Sequence, residues 1–309
     1  MSENDVICLM GPTASGKTDL AVELVQRHPY FEIISADSAM VYRGLDIGTA
    51  KPSRDVLTLA PHRLIDIRDP TEPYSAGNFR QDVLREIADI HGQGKIPLLV
   101  GGTMLYFWVV QHGLAAIPSA DSATREDISA KAALEGWPAL HAELQQVDPI
   151  AAQRIHPHDG QRIQRALEVY RLTGKPITQW QTQTSQELPF RLHHFILTPE
   201  HRESLCQRIQ QRLATLFARG FIDEVRILRS RYDLHADSPV LRAVGYRQIW
   251  EYLDGQYDLP TLHQRTYFAT CQLAKRQLTW LRRWPTAQRL PIENPLSNLY
   301  RRIADQLNK

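Results

Sequence analysis

The sequence predicts an α/β fold, a parallel sheet flanked by helices, with an all-helical domain inserted into it. Three observations carry this. The first 115 residues alternate short apolar runs with helix-like segments, a rhythm that yields a parallel sheet covered on both faces. A glycine-rich phosphate-binding pattern stands directly after the first of those runs. From Pro118 to about Gln186 only helical periodicity remains, flanked by the polar breaks Pro118–Asp121 and Thr182–Gln186, which is how an insertion reads. The expected division is a core of residues 1–117 and 190–309 around an insertion of residues 118–189.

The first strand is Val6–Met10, apolar throughout. The next eight residues, Gly11-Pro12-Thr13-Ala14-Ser15-Gly16-Lys17-Thr18, fill every position of the G-x-x-x-x-G-K-[ST] phosphate loop, so the core is P-loop NTPase-like. Gly11 and Gly16 let the backbone close around a phosphate with successive N–H groups pointing inward. Lys17 supplies a positive charge to the outer phosphates, and the Thr18 hydroxyl is a candidate Mg²⁺ ligand. Asp19–Val25 reads as a helix whose N-terminus adds its dipole to the anion site.

Glu32–Ala36 is the second strand, and Asp37 follows it at the edge of the sheet where ligands bind in doubly wound folds. A carboxylate there suits either a Mg²⁺ partner or a general base; a helix-capping Asp is the plainer alternative. Further strands are predicted at Leu64–Ile67 and Ile96–Val100, with a helix over Phe79–His91. The run at 96–100 ends in Gly101-Gly102-Thr103, where an ordinary P-loop ATPase carries an acidic residue that holds metal and helps activate water. The N-K-x-D guanine-reading motif is missing as well, so motor-ATPase and GTPase readings are disfavoured.

Within the insertion, Glu143–Val147 and Gln161–Leu172 are the clearest helical pieces. Arg191–Thr198 reads as a strand returning to the core sheet, followed by helices over Glu200–Arg219, Ile222–Arg231, Gln248–Leu253 and Leu262–Trp284. Gly220 fits the stop position of the first of these, and Pro285 ends the last.

Composition narrows the class. A hydrophobic fraction of 43% and a charged fraction of 23% are those of an ordinary soluble globular chain. The apolar stretch Ile96–Val110 is interrupted by Gly101, Gly102 and Thr103 and is too short to span a membrane. The first five residues carry no basic signal-peptide region, and three widely spaced cysteines without a C-x-x-C suit a reducing compartment. The expected location is cytoplasmic. Residues 1–120 hold 10 Lys+Arg against 14 Asp+Glu, whereas Gln161–Arg283 holds 19 against 11. Three basic clusters lie in that second region: Gln161–Arg165, Arg242–Arg247 and Lys275–Arg283. Each alone reads as a solvated helix face. On a chain that also carries a phosphate loop, they point to a nucleic-acid backbone.

Seven segments together resemble the tRNA dimethylallyltransferases, also called tRNA isopentenyltransferases: GPTASGKT (11–18), ISADSAMVYRGLDIGTAKP (34–52), HRLIDIRDP (62–70), VGGTMLY (100–106), QRIQRALEVYRLTGK (161–175), AVGYRQ (243–248) and AKRQLTWLRRW (274–284). The resemblance runs from the first strand to Trp284. Met104 departs from it, since many relatives carry Gly there, and no counterpart of the C-terminal zinc finger of some eukaryotic relatives is present.

The resemblance implies that the phosphate loop holds the diphosphate of dimethylallyl diphosphate rather than ATP. The acceptor it implies is N6 of the adenosine 3′-adjacent to the anticodon, in tRNAs reading codons that begin with U. It makes Asp37 the general base and Thr103 the residue that orients the amine, with Arg212 joining Lys17, the loop amides and Mg²⁺ near Thr18 at the diphosphate. It also marks the tRNA contacts: Asp37, Ser38, Ala39, Met40, Thr103 and Arg125; Gln161, Arg162, Ile163, Gln164 and Arg165; Arg242, Ala243, Val244, Gly245, Tyr246 and Arg247; and Lys275, Arg276, Gln277, Leu278, Thr279, Trp280, Leu281 and Arg282. The inserted domain would grip the anticodon stem-loop, and the protein would act as a monomer. Two other readings compete: a P-loop small-molecule kinase, which leaves the basic clusters without a purpose, and a non-catalytic RNA-binding protein, which leaves Asp37 and Thr103 idle.

Overall fold

A computed structural model describes residues 4–115, 117–181, 188–235, 238–293, 297–298, 301–302 and 305. The polar break predicted at Thr182–Gln186 lies outside the described residues. The chain forms two compact units, Met1–Gln111 with Leu188–Lys309, and His112–Glu187.

In the first unit six strands make one parallel sheet: β1 (Asp5–Met10), β2 (Phe31–Ser35), β3 (His62–Arg63), β4 (Ile96–Gly101), β5 (Arg191–Thr198) and β6 (Gln288–Pro291), in the order β3-β2-β4-β1-β5-β6. Because every strand runs the same way, the carboxyl ends of β1, β2 and β4 open on one edge, and Gly11, Asp37 and Thr103 follow them there. β1 is buried along its whole length, and its period of two sends alternate side chains to opposite faces. Ile7 and Leu9 join one core with α1 (Lys17–Arg27), α10 (Arg202–Ala218), α11 (Phe221–Arg231), α12 (Tyr246–Leu253) and α13 (Leu259–Leu281). Val6, Cys8 and Met10 join the other, with α3 (Ala76–Gly92) and α4 (Met104–His112). This two-sided burial is what a parallel sheet needs.

Local chemistry sets the helix ends. Ser75 and Asn78 form a capping box at α3, and Asp258 accepts from Thr261 N at 3.0 Å to open α13. Gly220, in the left-handed region at φ 92°, separates α10 from α11, as the glycine stop predicts.

One strand differs from its predicted place. β3 covers His62–Arg63, not Leu64–Ile67, because Leu64 and Asp66 take left-handed φ values of 61° and 54° that no strand continues through. The chain turns there, and Asp66 Oδ1 instead accepts from the buried Lys51 Nζ at 2.6 Å. The short helix α2 (Arg54–Leu59), the helix α4 and the strand β6 carry too little periodicity to be read in advance.

The second unit is helical: α5 (Ser122–Glu135), α6 (Trp137–Val147), α7 (Pro149–Arg154), α8 (Gly160–Thr173) and α9 (Ile177–Gln181). Its own core joins Ile128, Leu140, Leu144, Ala151, Ile163 and Leu167. At its centre Glu168, fully buried, binds Arg125 at 2.9 Å and Arg165 at 2.7 Å and accepts from Asp121 N at 2.8 Å. No helix among the described residues is long and apolar enough to cross a membrane.

Candidate active site

The phosphate loop leaves β1 at Gly11 and enters α1 at Lys17. Gly16 adopts φ 83° and Ala14 φ 63°, the left-handed steps that fold a loop of inward-facing amides. Gly11 has no room for a side chain, since a Cβ there would sit 2.7 Å from Ser15 Oγ and 3.2 Å from Leu197 Cβ. Ser15 is buried, and its hydroxyl has no hydrogen-bond partner among the described residues. Such an orphan within an anion loop is a donor still open to a ligand or a water.

Lys17 folds back over the loop, its ammonium donating to Pro12 O at 3.2 Å. Burial lowers its pKa from 10.5 to about 8; Asp37 and Asp19 pull it upward, and Arg212 pushes it down. Arg212, on α10, feels the same surroundings: burial lowers its pKa while Asp37 and Asp19 oppose that shift. Lys17, Arg212, Asp37 and Asp19 therefore share one electrostatic neighbourhood, two cations and two carboxylates.

Asp37 follows β2 and closes a turn, Oδ1 accepting from Ala39 N at 2.8 Å and Met40 N at 3.3 Å. Thr103 approaches the same turn from β4. Its hydroxyl accepts from Ser38 N at 3.0 Å and donates to Ser38 Oγ at 3.2 Å, and its own N–H reaches Ala36 O at 3.2 Å. Gly101, two residues before Thr103, is sterically required, because a Cβ there would stand 2.0 Å from Ala36 O. The Gly-Gly-Thr strand end thus brings Thr103 beside the Asp37 turn.

Arg212 is placed by the long turn after Asp37. Its guanidinium donates to Thr49 O at 2.9 Å. Residues 46–48, just before Thr49, are held by Glu224 of α11, whose carboxylate accepts from Asp46 N at 2.9 Å, Ile47 N at 2.5 Å and Gly48 N at 3.1 Å, and from the Tyr246 hydroxyl at 2.7 Å. Removing that carboxylate strands the buried Tyr246 hydroxyl and three part-buried backbone donors, and an unsatisfied buried donor costs about 1–3 kcal/mol. Glu224→Ala is expected to lower unfolding free energy in urea by at least about 3 kcal/mol; a loss below about 1 kcal/mol would contradict this role.

With this geometry in view, the comparisons with known proteins decide the family. The family model described as IPP transferase matches residues 40–284. The chain belongs to the IPP transferase family. It is 58% identical over 278 residues to a tRNA dimethylallyltransferase of Alkalilimnicola ehrlichii, covering 90% of this chain and 87% of that one. Among solved structures it resembles the tRNA isopentenylpyrophosphate transferase of Bacillus halodurans, with a TM-score of 0.72 and 35% identity over 99% of this chain and 97% of that one. A eukaryotic dimethylallyltransferase acting on tRNA superposes with a TM-score of 0.76 and 27% identity, over 94% of this chain and 74% of that one. IPP transferases are prenyl-transferring enzymes, so the kinase reading is not favoured.

Several residues predicted to touch RNA in this IPP transferase are placed otherwise. Tyr246, only 1% exposed, packs its ring edge-on against Phe221 at 5.0 Å and spends its hydroxyl on Glu224, so it offers no stacking face. Ile163 and Leu281 are core residues with no exposed surface. Gly245 is buried against Phe221. Arg125 and Arg165 are engaged by the buried Glu168, and Arg165 also donates to Pro118 O at 2.7 Å; Gln164 donates to Arg125 O at 3.1 Å and Ser129 Oγ at 2.8 Å.

Other candidates face outward. Ser38, Gln161, Arg162, Arg242, Arg247, Lys275, Arg276, Thr279 and Arg282 are exposed, and Ala39, Met40, Ala243, Val244, Leu278 and Trp280 are half-buried. Arg162 meets Asp159 at 3.4 Å and Arg247 meets Glu251 at 3.2 Å. Glu224 and Asp19 were not among the predicted site residues. Arg283, the last residue of the Lys275–Arg283 cluster, lies over the rings of Trp280, at 4.4 Å, and Trp108, at 5.1 Å.

Proposed function

We propose that this protein transfers the dimethylallyl group of dimethylallyl diphosphate to N6 of the adenosine 3′-adjacent to the anticodon, in tRNAs that read codons beginning with U. The observation that carries the reading is the shared neighbourhood of Lys17, Arg212 and Asp37. It sets a cationic anion loop beside a carboxylate at one sheet edge. The N6 lone pair attacks the allylic carbon, the carbon–oxygen bond to diphosphate breaks, and the N6 proton passes to Asp37. Lys17, Arg212, the Ser15 hydroxyl and the loop amides receive the departing charge. Thr103, hydrogen-bonded to Ser38, orients the amine.

Mg²⁺ takes a few oxygen ligands alongside substrate phosphates. The Thr18 hydroxyl at the start of α1 is an oxygen donor of that kind, so Thr18 would hold it. When bound, it neutralises diphosphate charge.

Residues 112–187 form the helical unit that we assign to gripping the anticodon stem-loop, through exposed Gln161 and Arg162. Arg242, Arg247, Lys275, Arg276 and Arg282 supply backbone contacts from the core unit, and the enzyme works as a cytoplasmic monomer. Converting Lys275 and Arg282 to Ala is expected to weaken stem-loop binding and flatten the log Kd against log salt slope by about 1–2. An unchanged slope would return both residues to a solvated face.

The function is tested by donor competition and product stoichiometry. Dimethylallyl diphosphate and inorganic diphosphate are expected to compete for one site, with one diphosphate released per RNA modified and no ATP consumed. Orthophosphate release from ATP without RNA modification would refute it.

A further inference from the structure

The loop that holds the leaving group and the turn that carries Thr103 come from different strands, yet one side chain spans them. Gln277, on α13, accepts from the Thr13 N–H at 2.8 Å through Oε1 and donates to Gly102 O at 2.8 Å through Nε2. The two partners fix the amide's orientation, since a backbone N–H needs the oxygen and a carbonyl needs the NH₂. Gly102 accommodates it: a Cβ there would stand 2.6 Å from Gln277 Nε2, 3.5 Å from Gly11 O and 3.6 Å from Lys17 Nζ. On its other side the turn is tied to the residue after β2, Thr103 N donating to Ala36 O at 3.2 Å. Both ends of the Gln277 amide are therefore engaged within the protein.

We propose that Gln277 is a positioning residue that sets the register between the phosphate loop and the Gly101–Thr103 turn. This rests on the prenyl-transfer reading above. With diphosphate seated in the loop and the acceptor amine oriented by Thr103, the Gln277 amide fixes the distance between leaving group and nucleophile. It does so from the helix that also presents the exposed Lys275 and Arg276. A misplacement of about 1 Å between reacting groups costs on the order of 100-fold in rate, so the bridge is expected to act on kcat rather than on affinity.

The test is a double-variant cycle measured on the full chain with dimethylallyl diphosphate and an anticodon stem-loop RNA. Gln277→Ala removes the bridge. Gly102→Ala, at a position without left-handed φ, pushes the amide off from the opposite side while leaving its chemistry intact. Each is expected to lower kcat by about 10- to 100-fold, with KM for the donor and Kd for the RNA within about 3-fold of the parent. The double variant is expected to resemble either single one, because both break the same bridge. Unchanged kcat in both variants, multiplicative losses in the double variant, or losses of donor and RNA affinity as large as the loss of kcat would each overturn the proposal. Those results presuppose a parent enzyme that prenylates the RNA; an inactive parent with intact donor and RNA binding would instead count against the prenyl-transfer reading itself.

Discussion

Asp37→Asn is expected to lower the single-turnover rate of prenylation by about 100- to 10,000-fold, the range that a positioned general base contributes. The adenine amine is a poor nucleophile because its lone pair is delocalised into the ring, so proton removal as the bond forms matters. Asparagine is the informative replacement: its carbonyl oxygen can still accept from Ala39 N and Met40 N, the bonds that Asp37 now receives at 2.8 and 3.3 Å. The turn survives and only the base is lost. Donor binding is expected to change far less. The loss of one carboxylate beside Lys17 lowers that lysine's pKa further, so affinity is best compared well below pH 8. Equal losses of donor affinity and of turnover would reduce Asp37 to a support for metal or fold.

The second large effect belongs to Lys17. Lys17→Met keeps most of the aliphatic stem and removes the cation that faces the diphosphate. It is expected to weaken donor binding and slow diphosphate departure together, by about 3 kcal/mol in kcat/KM. A pH signature accompanies it. In the free enzyme burial has brought Lys17 from 10.5 to about 8, so the cation is present at neutral pH and is lost as pH rises through about 8. Donor affinity of the parent is expected to fall along that limb, and the variant should lack it. The linked effect on folding has the opposite sense: between pH 8 and 10.5 the unfolded chain binds more protons than the folded one, so ligand-free stability rises with pH across that window. Isothermal titration of the donor across the range reads the first effect; a flat affinity for the parent would remove Lys17 from the diphosphate.

Local features of the site were legible in the sequence, and distant ones were not. The phosphate loop, the Asp37 turn and the Gly-Gly-Thr strand end each depend on residues adjacent in the chain, and β1, β2 and β4 announce themselves by apolar runs. Gln277 reaches partners 264 and 175 residues away, and Glu224 reaches the 46–48 turn across more than 170, so neither leaves a local trace. Tyr246 was misread for a related reason: flanked by Arg242 and Arg247 it looks solvated, but Phe221 and Glu224 close over it. β3 was displaced because the apolar Leu64, Ile65 and Ile67 suggest a strand, while the backbone takes left-handed φ at Leu64 and Asp66. The Arg125 and Arg165 assignments did not anticipate Glu168, a buried carboxylate inside an otherwise amphipathic helix, whose two partners they become.

The central claim is that the loop at residues 11–18 holds a prenyl diphosphate as a leaving group for RNA modification. Mass spectrometry of an unmodified anticodon stem-loop RNA, incubated with the protein, dimethylallyl diphosphate and Mg²⁺, tests it most directly. The account predicts a mass gain of one dimethylallyl group, located on the adenosine 3′ of the anticodon. An RNA of unchanged mass, with ATP hydrolysed when ATP is supplied instead, would contradict it.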